Sequence, residues 1–180
     1  MQVATLQNLS SFTLLDSPTK VPDLIETAKK RGYQAVGLAD VNVTYGLVNF
    51  YELAKKAGIK PLLGMQLRLN GLVDSTQKYD LLAFAKTNAG YHNLLRLSSA
   101  INLLTENGQN NNVLTLRDLS KYLTDLLLVV PANTKSELLY LFETNKQLGS
   151  DLIPDFKELT PDLYLGVYAS QSMQNYIDYV

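Results

Sequence analysis

The residues at two predicted strand ends are the first place to look for chemistry in this sequence. Asp40 and Val41 follow a short apolar segment at residues 34–39, and Gln66 lies in a second apolar segment at residues 59–69. In an α/β barrel, catalytic side chains stand at the carboxyl ends of the strands. A carboxylate there could bind a divalent cation or transfer a proton, whereas valine offers no lone pair and a neutral amide is a weak ligand. These three residues are a poor set for catalysis.

The remaining reactive side chains also have structural explanations. The chain has one histidine, His92, and no cysteine, which excludes disulfides and thiolate metal sites. We predict that His92 is a surface or helix-packing residue. Asp16 and Asp40 could form a residual polar site, Asp16 by holding one cation and Asp40 as a remnant metal or proton-relay residue. We favour a turn-capping role for Asp16 and hydrogen bonds from backbone N–H groups to Asp40.

The segments that position these residues alternate between strands and helices. Strands are predicted at residues 2–6, 34–39, 59–69, 79–85, 126–130 and 163–168. Helices are predicted to begin near Pro22 and to occupy residues 47–57, 89–104, 115–122, 136–148 and 170–180. Gly32 and Gly58 are expected to end the first two helices. The alternation with short links predicts an α/β class with parallel strands and right-handed crossovers.

The composition is that of an ordinary globular chain. It is 46% hydrophobic and 18% charged with a net charge of −1, so no general attraction to nucleic acid follows. Basic runs at residues 29–31 and 55–56 could form a nucleic-acid patch, but solvated helix ends explain them as well and are favoured. The sequence shows no membrane-length apolar run and no signal-peptide pattern, which makes a cytoplasmic protein the default expectation.

Four segments in the first hundred residues resemble one known family. They are SSFTLLDS at residues 10–17, GLADVNVTYGLVNFY at residues 37–51, AKKAGIKPLLGMQLRL at residues 54–69 and LLAFAKTNAGYHNLLRLSS ending at Ser99. The corresponding family patterns are HxHSxYSLLDG, ALTDHxxxxGxxxFY, AxxxGIKPIxGxE and LLAKNxxGYxNLxxLSS. The segments resemble the PHP (polymerase and histidinol phosphatase) domain at the N-terminus of bacterial DNA polymerase III alpha subunits. The likeness is much weaker beyond Ala100.

The resemblance implies a metal site whose ligands are mostly absent from this chain. PHP domains with an intact site use clustered His, Asp and Glu side chains to hold two or three divalent cations that activate water for phosphoester hydrolysis. The matching positions in this sequence are Gln7, Leu9, Asp16, Val41 and Gln66. Only Asp16 keeps a family ligand, and Asp40 keeps the aspartate that precedes the histidine position. We expect no catalytic residue, no bound metal, and a possible hydrogen bond between Gln7 and Gln66 across the emptied pocket.

The resemblance also implies a fold and a parent protein. The fold would be a distorted (β/α)7 TIM-like barrel, truncated here at about six strands. Residues 1–180 would be an N-terminal fragment, and the polymerase domains would lie outside this chain. The parent would be a replicative DNA-directed DNA polymerase, with this domain inactive and either packed on the polymerase core or docking a replisome protein.

Two other functions remain open at this point. One is a metal-dependent 3′–5′ exonuclease or phosphoesterase, and the other is a single-stranded DNA-binding module. Intact relatives bind Zn or Mn and the polymerase domain would use Mg, but no cofactor is expected in this domain. The expected partners are the rest of the polymerase chain, replisome proteins, and DNA through the parent protein, with no membrane.

Overall fold

A computed structural model describes residues 4–106, 116–133 and 135–167 of this chain. The strands are β1 (Ala4–Thr5), β2 (Ala35–Leu38), β3 (Lys60–Asn70), β4 (Lys78–Ala85), β5 (Leu126–Val130) and β6 (Leu163–Leu165). The helices are α1 (Val21–Lys30), α2 (Leu47–Ala57), α3 (Asn88–Glu106), α4 (Leu116–Leu119), α5 (Glu137–Thr144) and α6 (Lys146–Leu159). A short 3₁₀ helix at Ser120–Tyr122 follows α4. None of the helices in the described ranges is long and apolar enough to cross a bilayer.

The six strands form one curled half-barrel sheet in sequence order, which confirms the predicted α/β class. The pairs β1–β2, β2–β3 and β5–β6 are parallel, but β3–β4 and β4–β5 are antiparallel. The prediction of parallel strands throughout is therefore wrong at β4. Only residues 71–77 separate β3 from β4, which is too short for a crossover, since a parallel pair needs about a dozen connecting residues. Ala85 pairs with Leu126, so the long connection after β4 leaves and returns at the same end of the sheet.

The core has two parts because alternate strand residues face opposite sides of the sheet. The larger cluster packs the outer sheet face against the helices and includes the α1 stripe of Val21, Ile25 and Ala28. The smaller cluster, with Leu82 and Phe84, fills the inner face of the half-barrel. These two clusters fix the strands whose ends carry the candidate site.

The predicted helix boundaries are correct for α1 and α2. Pro22 lies in the first turn of α1, where its missing N–H has no intrahelical role. Gly32 and Gly58 follow the two helices with φ of 71° and 75°, the left-handed conformation that glycine adopts without a Cβ penalty. The sequence pattern therefore located both ends of these helices.

The predicted single helix at residues 136–148 is wrong. Asn145 has φ −152°, which ends α5, and its side chain accepts a hydrogen bond from Leu148 N to begin α6. The sequence analysis missed α6 because Gly149 and Pro154 lie inside it and weaken its helical pattern. The predicted loop at residues 105–112, the short helix at 115–122 and the strand at 163–168 lie partly outside the described residues. The predicted terminal helix at 170–180 lies wholly outside them.

Candidate functional site

A cleft of about 370 Å³ opens at one edge of the sheet, where β1 and β2 end and β4 begins. Its lining residues are Gln7, Leu9, Asp16, Gln66, Arg68, Asp80, Asn133 and Lys135. Val41 adjoins the cleft through an isolated parallel bridge to Gln66. In that bridge Gln66 N donates to Asp40 O at 3.1 Å, and Asn42 N donates to Gln66 O at 2.9 Å. The structure thus brings together all five positions that the resemblance nominated.

A chain of polar side chains occupies the floor of this cleft. Gln7 Nε2 donates to Gln66 Oε1 at 3.0 Å, which confirms the predicted hydrogen bond. Gln66 Nε2 then donates to Asp80 Oδ2 at 2.8 Å. The other oxygen of Asp80 accepts from Arg68 Nε at 3.0 Å, and the two residues face each other across the β3–β4 ladder. Across the described part of the chain, every buried side-chain nitrogen and oxygen has a hydrogen-bond partner.

Asp16 stands at the open side of the same cleft. Its carboxylate is 45% exposed and lies 3.9 Å from Arg68 Nη1, the outer limit of an ion pair. Ser17, rather than Asp16 as predicted, caps the turn in this loop. The Ser17 hydroxyl donates to Leu9 O at 2.9 Å and accepts from Thr19 N at 3.2 Å.

Asp40 is buried beneath the loop that follows β1. It is 1% exposed and accepts hydrogen bonds from Ser10 N at 2.6 Å, Ser10 Oγ at 2.7 Å and Thr13 Oγ1 at 2.7 Å. Thr13 Oγ1 in turn accepts from Val41 N at 3.1 Å. The predicted bonding of Asp40 to backbone N–H is confirmed, although the donor belongs to this loop and not to a helix N-terminus. Asp40 fixes the loop over the end of β2.

The residues of this cleft do not fit the divalent metals that the resemblance implies. Both ends of the Gln66 amide are hydrogen-bonded, and the Asp40 carboxylate is directed to the loop. The two carboxylates that line the cleft both face the Arg68 guanidinium. The side chains of Leu9 and Val41 have no atom that could ligate a metal. In residues 4–106, 116–133 and 135–167, no three His, Cys, Asp or Glu side chains are grouped to hold a metal ion.

Sequence reasoning missed Arg68 and Asp80, which form an ion pair in the cleft. Each interrupts an apolar strand pattern, in LRL and YDLL, and the charges are opposite. Reading residues 59–85 as a hairpin would have placed these residues opposite each other. The crossover that the sequence analysis predicts between the two strands does not place them opposite each other. His92, by contrast, is exposed on α3, as predicted for a surface residue.

The basic residues at the ends of α1 and α2 have local partners. Lys30 Nζ lies 2.6 Å from Glu26, whose hydrogen bond and charge raise the pKa of Lys30. Lys55 lies in the last turn of α2, with Nζ 5.8 Å from the centre of the Tyr51 ring. Cations in the last turn of a helix complement its dipole. These contacts favour the solvated-helix-end explanation over a nucleic-acid patch.

Comparison with known sequences identifies relatives over most of the chain. DNA polymerase III subunit alpha of Halalkalibacterium halodurans is 38% identical over 122 residues, which cover 68% of this chain and 10% of that protein. The Staphylococcus epidermidis protein of the same name is 34% identical over 148 residues, covering 81% of this chain and 13% of the relative. This chain therefore spans about a tenth of the length of these curated relatives and is homologous to their N-terminal region.

Comparison with solved structures supports the barrel-type fold. An amidohydrolase from Chromobacterium violaceum, solved with bound sulfate and no metal, has a TM-score of 0.65 at 12% identity. The match covers 99% of this chain and 81% of that one. In sequence, the profile of the PHP domain matches residues 5–169. This chain belongs to the PHP domain family.

Proposed function

We propose that this chain is the PHP module of a replicative DNA polymerase III alpha protein and that the module is structural rather than hydrolytic. The observation that carries the proposal is the hydrogen-bonded chain Gln7–Gln66–Asp80–Arg68, because Gln7 and Gln66 stand where the family resemblance places metal ligands. Nucleotidyl transfer, with its Mg²⁺, would belong to polymerase domains outside these residues, and the protein would act in the cytoplasm. The module would need no cofactor of its own.

The chemistry of the cleft supports this assignment. Metal-dependent hydrolysis requires a cation that lowers the pKa of bound water and stabilises charge on the phosphoryl oxygens. Asp16 is the only family ligand kept at the aligned positions, and its nearest charged neighbour is Arg68. One exposed carboxylate beside a guanidinium can neither collect divalent cations nor act as an activated base. His92 lies on α3 and is not among the residues that line the cleft.

A structural role is supported by a group of exposed apolar residues beside the cleft, which we call the apolar tip. The apolar tip consists of Phe12, Leu14, Leu15 and Tyr45, which are 41%, 81%, 106% and 67% exposed. Leu15 also has φ 67°, an unfavourable conformation for a leucine. Neighbouring exposed apolar groups of this kind mark protein contacts. We assign the contact to the remainder of a polymerase chain, since the relatives are about ten times longer than the matched segment.

Hydrolytic inactivity is tested with a 3′-labelled oligonucleotide and the full-length gene product. We expect no release of nucleotides with Mn²⁺ or Zn²⁺ beyond that seen with chelator, while a PHP protein with a complete ligand set releases them. Because a separate exonuclease domain could also act, the Asp16→Asn variant serves as the control. Metal-dependent release that disappears in Asp16→Asn would overturn the inactive assignment.

The structural role is tested by changing the apolar tip in the full-length gene product. The Leu14→Ser/Leu15→Ser double variant should lower its polymerase activity or its resistance to proteolysis. Leu103→Ser, which changes a leucine on α3 that is 61% exposed, is the matched control and should have no effect. Equal behaviour of the two variants would remove the apolar tip as a docking surface. A reading frame without a downstream polymerase acidic triad would contradict the proposed parent.

A further inference from the structure

Among the residues that the structure describes, Arg68 is the cation within salt-bridge distance of the buried carboxylate of the cleft. The Asp80 side chain is 1% exposed, and its salt-bridge partner among the described residues is Arg68, with Nε at 3.0 Å. A buried carboxylate requires a counter-charge and hydrogen bonds, because desolvation otherwise costs several kcal/mol. The Gln66 amide supplies a hydrogen bond but no charge. The charge balance of the cleft floor therefore depends on Arg68.

The guanidinium also connects three segments of the chain. Arg68 belongs to β3, Asp80 to β4, and Asp16 to the loop between β1 and α1. The Arg68 side chain is 28% exposed, so it reaches the cleft from its rim with its charged end between the two carboxylates. A cation that neutralises carboxylates from separate segments does what a bound metal does in a metal-dependent fold.

We propose that Arg68 is a built-in substitute for a divalent cation, which holds this edge of the barrel together and excludes metal ions from the cleft. The inference goes beyond the proposed function, because an inactive domain could equally hold a structural metal or nothing at all. The inference depends on the number of charged side chains in the cleft. Without Arg68, Asp16 and Asp80 would present two negative charges beside the amide oxygens of Gln7 and Asn133, and the one cation left in the described lining would be Lys135, which forms no ion pair with either carboxylate among the described residues. Hard oxygen donors of this kind suit Mn²⁺ or Ca²⁺.

The test is to measure thermal and urea unfolding of the protein, once with a chelator and once with about 1 mM Mn²⁺. We expect the wild type to be insensitive to both. Arg68→Met should raise the unfolding equilibrium constant about a hundredfold or more, as is typical when a buried pair loses one partner. Mn²⁺ should restore part of that loss. Arg96→Met is the control, since Arg96 is exposed on α3 and its guanidinium donates a hydrogen bond to the neutral side chain of Asn93.

Three results would overturn the inference. The first is a wild type that Mn²⁺ stabilises. The second is a loss of stability in Arg68→Met no larger than that in Arg96→Met. The third is an Arg68→Met variant that folds but whose stability does not change with Mn²⁺. If Arg68→Met does not fold, the double variant Arg68→Met/Asp80→Asn removes both charges and should fold better than the single variant, without a response to Mn²⁺. A double variant as unstable as the single one refutes the charge argument. The hydrolysis assay is independent of all these outcomes.

Discussion

Replacing Asp40 by alanine should release the loop after β1 from the sheet. The carboxylate accepts three hydrogen bonds from Ser10 and Thr13, residues that are 0% and 4% exposed. Each buried donor left without an acceptor costs about 1–3 kcal/mol. Taking the low end for each, since water can enter and hydroxyls can rotate, gives a loss of about 3 kcal/mol. That is a large share of the roughly 5–15 kcal/mol that stabilises a typical domain.

Urea unfolding followed by circular dichroism measures this loss. With a slope of about 2 kcal/mol per molar, the midpoint should fall by about 1.5 M. Asp155→Ala, which removes an exposed carboxylate on α6, is the matched control and should change stability by less than about 0.5 kcal/mol. Asp40→Asn keeps the shape of the side chain and part of its capacity to accept hydrogen bonds. Its loss of stability should therefore lie between those of Asp40→Ala and Asp155→Ala.

A double-mutant cycle tests the cause of the loss. In the Thr13→Val background one donor is already absent, so Asp40→Ala should cost less there, with a coupling energy of about 1 kcal/mol. The reasoning fails if Asp40→Ala costs less than about 1 kcal/mol, or if the two changes add without coupling. Either result would mean that the hydrogen bonds to Asp40 are not what holds this loop in position.

Three further changes test other parts of the fold. Gly90→Ala would overlap the carbonyl oxygen of Asp125, a backbone atom, so unfolding experiments should show a loss of about 3 kcal/mol. Ser136→Ala removes the side-chain acceptor of Leu139 N at the start of α5 and should cost about 1 kcal/mol in the same assay. Burial, followed by nearby negative charge, raises the pKa of Tyr79. Because its folded pKa exceeds its unfolded value near 10.0, stability from the neutral phenol is complete below that pH and is lost above it. Tyr79→Phe should therefore flatten the alkaline fall of the stability profile, and an unchanged fall would contradict this.

Local signals in the sequence were sufficient for the ends of α1 and α2 and for the five cleft positions that the family motifs contain. Gly32 and Gly58 marked two helix ends because a left-handed residue after a helix needs no information from the rest of the chain. The hydrogen bond between Gln7 and Gln66 could also be predicted, since both residues align with positions that face one pocket in the family. Each of these inferences used either a single residue or a motif of known geometry.

Pairing between distant residues could not be predicted in the same way. The direction of β4 depends on whether the short 71–77 link forms a turn, and the polar composition of that link did not exclude a crossover in the sequence analysis. The missed hairpin concealed the Arg68–Asp80 pair, whose partners face each other only in that register. Similarly, Asn145 ends α5 and caps the start of α6, and the pattern of apolar residues does not reveal such a break.

The network in the cleft also explains why a neutral amide stands at position 66. Gln66 donates to Asp80 through one end and accepts from Gln7 through the other. A carboxylate has no proton to donate at neutral pH, so a glutamate at this position could not make the contact with Asp80, and two carboxylates there would repel each other. The amide at position 66 and the carboxylate at position 80 therefore depend on each other. What the family motif presents as a lost ligand is, in this chain, a hydrogen-bonding group with a partner at each end.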